Sequence, residues 1–438
     1  MLVRPSNSVG HRKQYEWSHD AMSASLMQEF IPPLHNKLVI SAAKLMLPLH
    51  LSQEKLIMRP SANCINAIRR LNGQSTVLML NHSDRNDPTA AFSLSTAVGE
   101  PFFYLSAREL FDMNGGFRGF VMQRCGAYSV KRGHPEDFES KEKTVSLIVE
   151  GRHPLVMFPE GDVTGRDDEI LPLKVDGIRN ILEAQKILSA LETPRSVFLL
   201  PIAIYYEAQD DSILSLQNCL AKMERKLELV ARDYALQPRI TRILLDVVSH
   251  LESYYSIHDM QDSSLQYRLQ NICKRAALAI AQYAQLIDIN PNEDEHVLLY
   301  SVRSGLRGRA ALNHAYGCDF CDKLNEDRLH KGKFCEAELD LLQQLLIIAS
   351  TLDERKFSLD QAWRLTDRLE QIVFGNVTAK GHRIAWMEAA EPIDLIGYTA
   401  EFEASPEKTI QRIDRMVRQS LSSNLQRLKR IAQIVQSQ

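Results

Sequence analysis

The 438-residue chain has no run of the roughly 18 to 20 consecutive apolar residues that a membrane-spanning helix needs. It also lacks low-complexity tracts and fixed-period repeats, which excludes solenoids, propellers and fibrous arrays. Cysteines are few and odd in number, seven in all and scattered, and no basic-apolar-small leader opens the chain. A disulfide framework is therefore not expected, and a reducing, cytoplasmic compartment is. An excess of one charge is missing too: 52 Lys and Arg face 55 Asp and Glu, a formal net charge of -3. Nothing global then favours nucleic acid as a partner. No Gly-x-Ser-x-Gly elbow is present to supply a serine nucleophile, which argues against a common class of hydrolase.

What is there reads as a folded globular chain, with 45% apolar and 24% charged residues. Its length suits two or three ordinary domains, or one catalytic domain with a large addition. From Ser75 to about Tyr206, short apolar runs alternate with helical stretches, the pattern of an α/β layer architecture. The predicted strands are 75–80, 101–106, 127–130, 154–159 and 196–206. From about Asp210 to Val377 the sequence turns long, helical and strandless, and residues 382–395 read again as a strand leaving into a turn. A last helix is predicted from about Pro406 to the C-terminus. The segment Leu38–Leu51, broken by Lys44 and Pro48, reads either as a buried packing helix or as an interfacial helix on a lipid surface, with Lys37 and Lys44 toward anionic headgroups.

The chemistry-bearing segment is Leu80–Pro88, where His82 and Asp87 form a His-x4-Asp pair directly after a predicted strand. With thirteen histidines, about one such pair is expected by chance. In the plain reading Asp87 caps a helix whose first turn holds Pro88, and His82 is a loop residue. In the catalytic reading the Asp87 carboxylate accepts the Nδ1 proton of His82, leaving Nε2 to take a proton from a hydroxyl. Three further segments follow in order: Gly126–Arg132, Phe158–Arg166 with its Leu171–Lys174 continuation, and the proline-bearing strand around Pro201.

Taken together these segments resemble the four sequence blocks of the glycerophospholipid acyltransferase superfamily, in the 1-acylglycerol-3-phosphate acyltransferase-like branch. The resemblance implies a glycerolipid acyltransferase-like mixed sheet flanked by helices. It implies His82 as general base oriented by Asp87, with Arg132, Glu160, Gly161, Arg166 and Pro201 binding the acceptor or shaping the acyl site. Ser129 stands where the second block more often has an aromatic. The third block departs further: where the family continues Glu-Gly-Thr-Arg, Asp162 and Val163 follow Gly161, so the expected arginine is absent and Arg166 is the nearest substitute.

In the family the fourth block is soon followed by a strand ending near Glu-Pro-Ile. Here Glu391, Pro392 and Ile393 lie far downstream, implying that the catalytic domain is interrupted by a large all-helical insertion. The expected division is 1–60 as an N-terminal helical segment, 61–209 as the first part of the acyltransferase domain, 210–377 as the insertion, and 378–438 as the closing strand and helix. Within the insertion His314, Cys318, Cys321, His330 and Cys335 fall in a short span, a candidate zinc set, although the spacing beyond Cys318-x2-Cys321 is unfamiliar and free thiols are the plainer reading.

The expected function is transfer of a fatty acyl group from acyl-CoA or an acyl carrier protein to a hydroxyl of a lysophosphatidate-like glycerolipid. Glycerol-3-phosphate, dihydroxyacetone phosphate or a non-phosphate lysolipid are alternative acceptors. From another class, the chain is read as a catalytically silent lipid-binding scaffold. No metal or redox cofactor is implied, and a peripheral contact with a membrane is expected from the nature of the substrate.

Overall fold

The computed structural model describes residues 30–131, 137–161, 163–165, 170–171, 173–230, 235–258, 260, 262–312, 319–352 and 357–436, without the side chains of 114, 307–312, 319–331, 333 and 434–436. Among the described residues, eight strands form one sheet: β1 (Leu56–Pro60), β2 (Ser75–Leu80), β3 (Phe103–Ala107), β4 (Ala127–Val130), β5 (Leu155–Met157), β6 (Val197–Ala208), β7 (Arg383–Ala389) and β8 (Ile393–Asp394). Their order is β1-β7-β6-β2-β5-β3-β4, with β8 also against β6. Neighbours run parallel except where β6 meets β7 and β8. The fold is thus mixed α/β, as the alternation of apolar runs implied.

Every residue of β2 is buried, because helices cover both faces of the parallel part of the sheet. Alternate side chains go to opposite sides. Leu78 and Leu80 pack with α2 (Ala62–Arg70) and α3 (Asp87–Val98) through Ile68, Ala91 and Leu94. Val77 and Met79 pack with α5 (Phe138–Glu150), α6 (Val175–Ser189) and α14 (Pro406–Gln436) through Leu147, Ile181 and Val417. The result is a three-layer sandwich whose β2 strand ends among its neighbours, where an α/β sheet opens a cleft.

Among the described residues, six helices come between β6 and β7: α7 (Ser212–Lys226), α8 (Leu236–Tyr254), α9 (Leu265–Tyr283), α10 (Glu295–Leu312), α11 (Asp319–Thr351) and α12 (Leu359–Phe374). They share an apolar cluster of their own that reaches the sheet at Ala208. The two strands flanking them are antiparallel partners, in register from Ile202↔Ala389 to Ala208↔Arg383. The helices therefore stand where a hairpin turn would otherwise close.

Pro201 sits inside β6, opposite Met79 of β2. Its carbonyl accepts the Ala390 N–H at 2.9 Å, and the N–H and C=O of a strand residue face the same neighbour. The missing donor thus falls at the break between β8 and β7, which is how a central strand tolerates proline.

The N-terminal part differs from expectation. Residues 1–29 lie outside the described residues, and Leu56–Pro60 is a strand parallel to β7 rather than part of a helical segment. The helix α1 (Lys37–Gln53) is not a buried packing helix: Leu47 is its one buried residue, while Leu38 and Leu45 are 82% and 81% exposed. Among the described residues, no helix is long and apolar enough to cross a membrane. The turn after Pro392 is also more ordered than predicted, since Ile393 and Asp394 form β8.

Candidate active site

Asn81 ends β2 by continuing its pairing through a side chain. The buried carboxamide accepts the Ile204 N–H at 2.7 Å and donates to the Ile204 carbonyl at 3.0 Å. The main chain is then free to leave the sheet and turn toward α3.

His82 is fastened on both sides by the loop after β5. Its N–H donates to Glu160 Oε1 at 2.7 Å, and its carbonyl accepts from the Thr164 N–H at 2.7 Å and the Thr164 hydroxyl at 3.1 Å. The imidazole stacks on Phe158, with ring centroids 4.4 Å apart at 25°. Nδ1 lies 2.9 Å from Asp87 Oδ2, and the His82 side chain is 14% exposed while that of Asp87 is fully buried. With Nδ1 committed to the carboxylate, Nε2 is the nitrogen left to face a ligand.

Asp87 does not cap α3. The capping position is Asn86, whose side chain makes no capping bond, and the carboxylate of Asp87 turns back over the preceding loop. Oδ2 accepts the Asp84 N–H at 2.9 Å as well as His82, and Oδ1 accepts the Tyr206 hydroxyl at 2.8 Å. Burial pushes the Asp87 carboxyl upward, and the bond to His82 works against that push. Burial likewise raises Glu160, opposed by the amides of His82 and Leu171 that its two oxygens accept. Both oxygens of Glu160 thus hold main chain, so its placement is that of a loop clamp.

Next to the pair lies a buried ion pair. Asp84 accepts from Arg383 at 2.6 Å and 3.4 Å, and the guanidinium lies 3.6 Å from the Trp363 ring and 4.9 Å from the Tyr206 ring. Burial alone would raise Asp84, but the charge and hydrogen bonds of Arg383, with the Asn86 amide, hold it well below the usual carboxylate range.

Gly161 has φ +82°, and a Cβ there would meet the Lys174 side chain at 2.7 Å, so the tight turn after Glu160 needs glycine. Lys174 in turn places its ammonium 4.0 Å from the Tyr300 ring of the insertion. The same loop meets the insertion at Gly165, where a Cβ would lie 2.4 Å from Ile347.

The structure therefore brings together His82, Asp87, Glu160 and Gly161, with Pro201 buried in the neighbouring strand opposite Met79. Arg132 and Arg166 lie outside the described residues. So do His314, Cys318 and the side chains of Cys321 and His330, while Cys335 is buried on α11. Among the described residues no three His, Cys, Asp or Glu side chains are grouped to hold a metal ion. Sequence reasoning missed Tyr206, Arg383 and Trp363. No local signal marks them, since Arg383 meets Asp84 from 299 residues away.

No curated protein matches the chain. Residues 61–205 match the Acyltransferase family, a span that runs from the N-terminus of α2 through most of β6 and includes the whole Asn81–Asp87 loop and the Phe158–Gly161 turn. Residues 61–205 thus form an acyltransferase domain of the glycerophospholipid acyltransferase family.

Proposed function

We propose that the protein transfers a fatty acyl group from a thioester, acyl-CoA or an acyl carrier protein, to a free hydroxyl of a lysophosphatidate-like glycerolipid, with His82 as general base. The observation that carries this reading is the 2.9 Å contact from His82 Nδ1 to an Asp87 carboxylate that two further donors hold in place. A fixed Nδ1–H leaves Nε2 as the proton acceptor. The hydroxyl proton passes to Nε2 as the oxygen attacks the thioester carbonyl carbon. Collapse of the tetrahedral intermediate breaks the C–S bond, and the thiolate leaves with the proton returned by the imidazolium. No covalent enzyme intermediate and no cofactor are required. Glu160 serves by holding the main chain of His82, Gly161 by allowing the turn, and Pro201 by shaping the strand beside it. Arg132 and Arg166 are the cations proposed to bind an acceptor phosphate.

The Asp162-Val163 departure bears on acceptor choice, so glycerol-3-phosphate, dihydroxyacetone phosphate and a non-phosphate lysolipid belong beside lysophosphatidate in one assay panel with a single acyl donor. Fastest transfer to lysophosphatidate is the expected result. No transfer to any of the four would favour the silent lipid-binding reading instead.

The protein is further proposed to work at the cytoplasmic face of a membrane, as a peripheral protein. Leu38, Leu45, Met46 and Leu49 of α1 are exposed, with Lys37 and Lys44 on the same helix to meet anionic headgroups. The end of α1 is tied to the candidate site by Arg85, which reaches Glu54 at 3.1 Å, so a helix lying on lipid would hold the site near its substrate.

A further inference from the structure

The six inserted helices stand apart in sequence from every motif residue, yet one of them reaches the ground beneath the His82–Asp87 pair. Asp87 is fixed from two directions. The first is the Tyr206 hydroxyl on Oδ1, at 2.8 Å. The second is the Asp84 N–H on Oδ2, at 2.9 Å, and Asp84 is itself locked by Arg383 at 2.6 Å. Arg383 is buried, with its guanidinium over two rings, Tyr206 of β6 at 4.9 Å and Trp363 of α12 at 3.6 Å. Trp363 is buried in turn, its indole N–H donating to the Lys380 carbonyl at 3.1 Å. A stacked guanidinium keeps its planar fork aimed at the carboxylate, which a freely rotating cation would not do.

We propose that Tyr206, Arg383 and Trp363 are positioning residues for the His82–Asp87 pair, so that the helical insertion completes the site through Trp363. This rests on the acyl-transfer reading of the pair. The clamp orients the base without touching substrate. Its loss lowers turnover and leaves acceptor binding nearly unchanged. The charged and titratable groups around Asp87 and Asp84 include His82, Glu160, Tyr206, Arg383 and, at longer range, Arg368, with Asp360 and Arg364 of α12 lining the same small cavity as Asp84. Tyr206→Phe removes one of the two donors that fix the Asp87 carboxylate beside His82.

The test uses the full chain, with circular dichroism to confirm folding. Tyr206→Phe and Trp363→Leu are expected to lower kcat on the order of 10-fold with the acceptor KM within about twofold, while Trp363→Phe, which keeps a flat ring, retains most of the rate. A merely structural role predicts instead that activity tracks the folded fraction and that Trp363→Phe does no better than Trp363→Leu, and that result overturns the proposal. The failure of the underlying reading looks different, because wild-type protein would then transfer no acyl group. In that event the clamp is read by the downfield Nδ1–H proton resonance of His82, assigned by its absence in His82→Ala. Its displacement in Tyr206→Phe and Trp363→Leu supports the clamp, and an unmoved resonance in both rejects it.

Discussion

The Asp84–Arg383 pair shows how unevenly a buried ion pair rewards mutation. Removing one partner strands the other charge where water cannot reach it, whereas removing both discards desolvation cost along with attraction. Asp84→Asn is therefore expected to destabilise the protein by about 3–5 kcal/mol in urea unfolding, and Asp84→Asn combined with Arg383→Met by clearly less. The pH dependence has a definite sign. Asp84 is held below its ordinary range, so its contribution is present above about pH 4 and is lost as the pH falls through the lower folded value. Urea midpoints measured from pH 7 downward should fall steadily below about pH 4 in wild type, with the loss shallower in the double variant.

At the scale of the element, α1 offers a clean separation of folding from surface contact. Leu38, Leu45 and Met46 are more than half exposed, so exchanging them for glutamate removes no core. Leu45→Glu with Met46→Glu should leave urea stability within about 0.5 kcal/mol of wild type. The same variant should lose sedimentation with anionic vesicles. Vesicle binding equal to wild type would remove α1 as the contact. Elements also mark how far the sequence could be read. The strands β2 to β6 were legible because each is an apolar run bounded by turn residues, and β7 because it leads into Glu391-Pro392-Ile393. Leu56–Pro60 was not legible, because one buried residue in an alternating five leaves too weak a period to tell strand from helix end. Asp87 was legible as the partner of His82 only from the spacing together with the strand before it and the blocks that follow, and its turn away from the cap depends on Tyr206, 119 residues distant. The glycine at 161 was visible as a motif, and its reason became visible only with its left-handed backbone, φ +82°, and Lys174 folded against it.

Over the whole molecule, the insertion and the sheet are bound by more than chain connectivity. Asp360 of α12 accepts from the Tyr205 hydroxyl and from the Ala208 N–H, Trp363 covers Arg383, and Ile347 packs on Gly165. Unfolding one part would leave buried polar groups of the other without partners. The two are therefore expected to unfold together, and two of the three tryptophans report on them: Trp363 lies in the insertion and Trp386 in β7. Fluorescence transitions of Trp363→Phe and Trp386→Phe, each combined with Trp17→Phe and referred to far-ultraviolet dichroism of the same variant, should coincide in denaturant. Separated transitions would describe two independent units. Above these sits the claim that one imidazole, aimed by Asp87, does the work of transfer, and single-turnover acyl transfer by His82→Ala measures it most directly. A rate lowered roughly 10²- to 10⁴-fold with folding intact is the outcome this account predicts. A His82→Ala protein that transfers acyl groups as fast as wild type would contradict it.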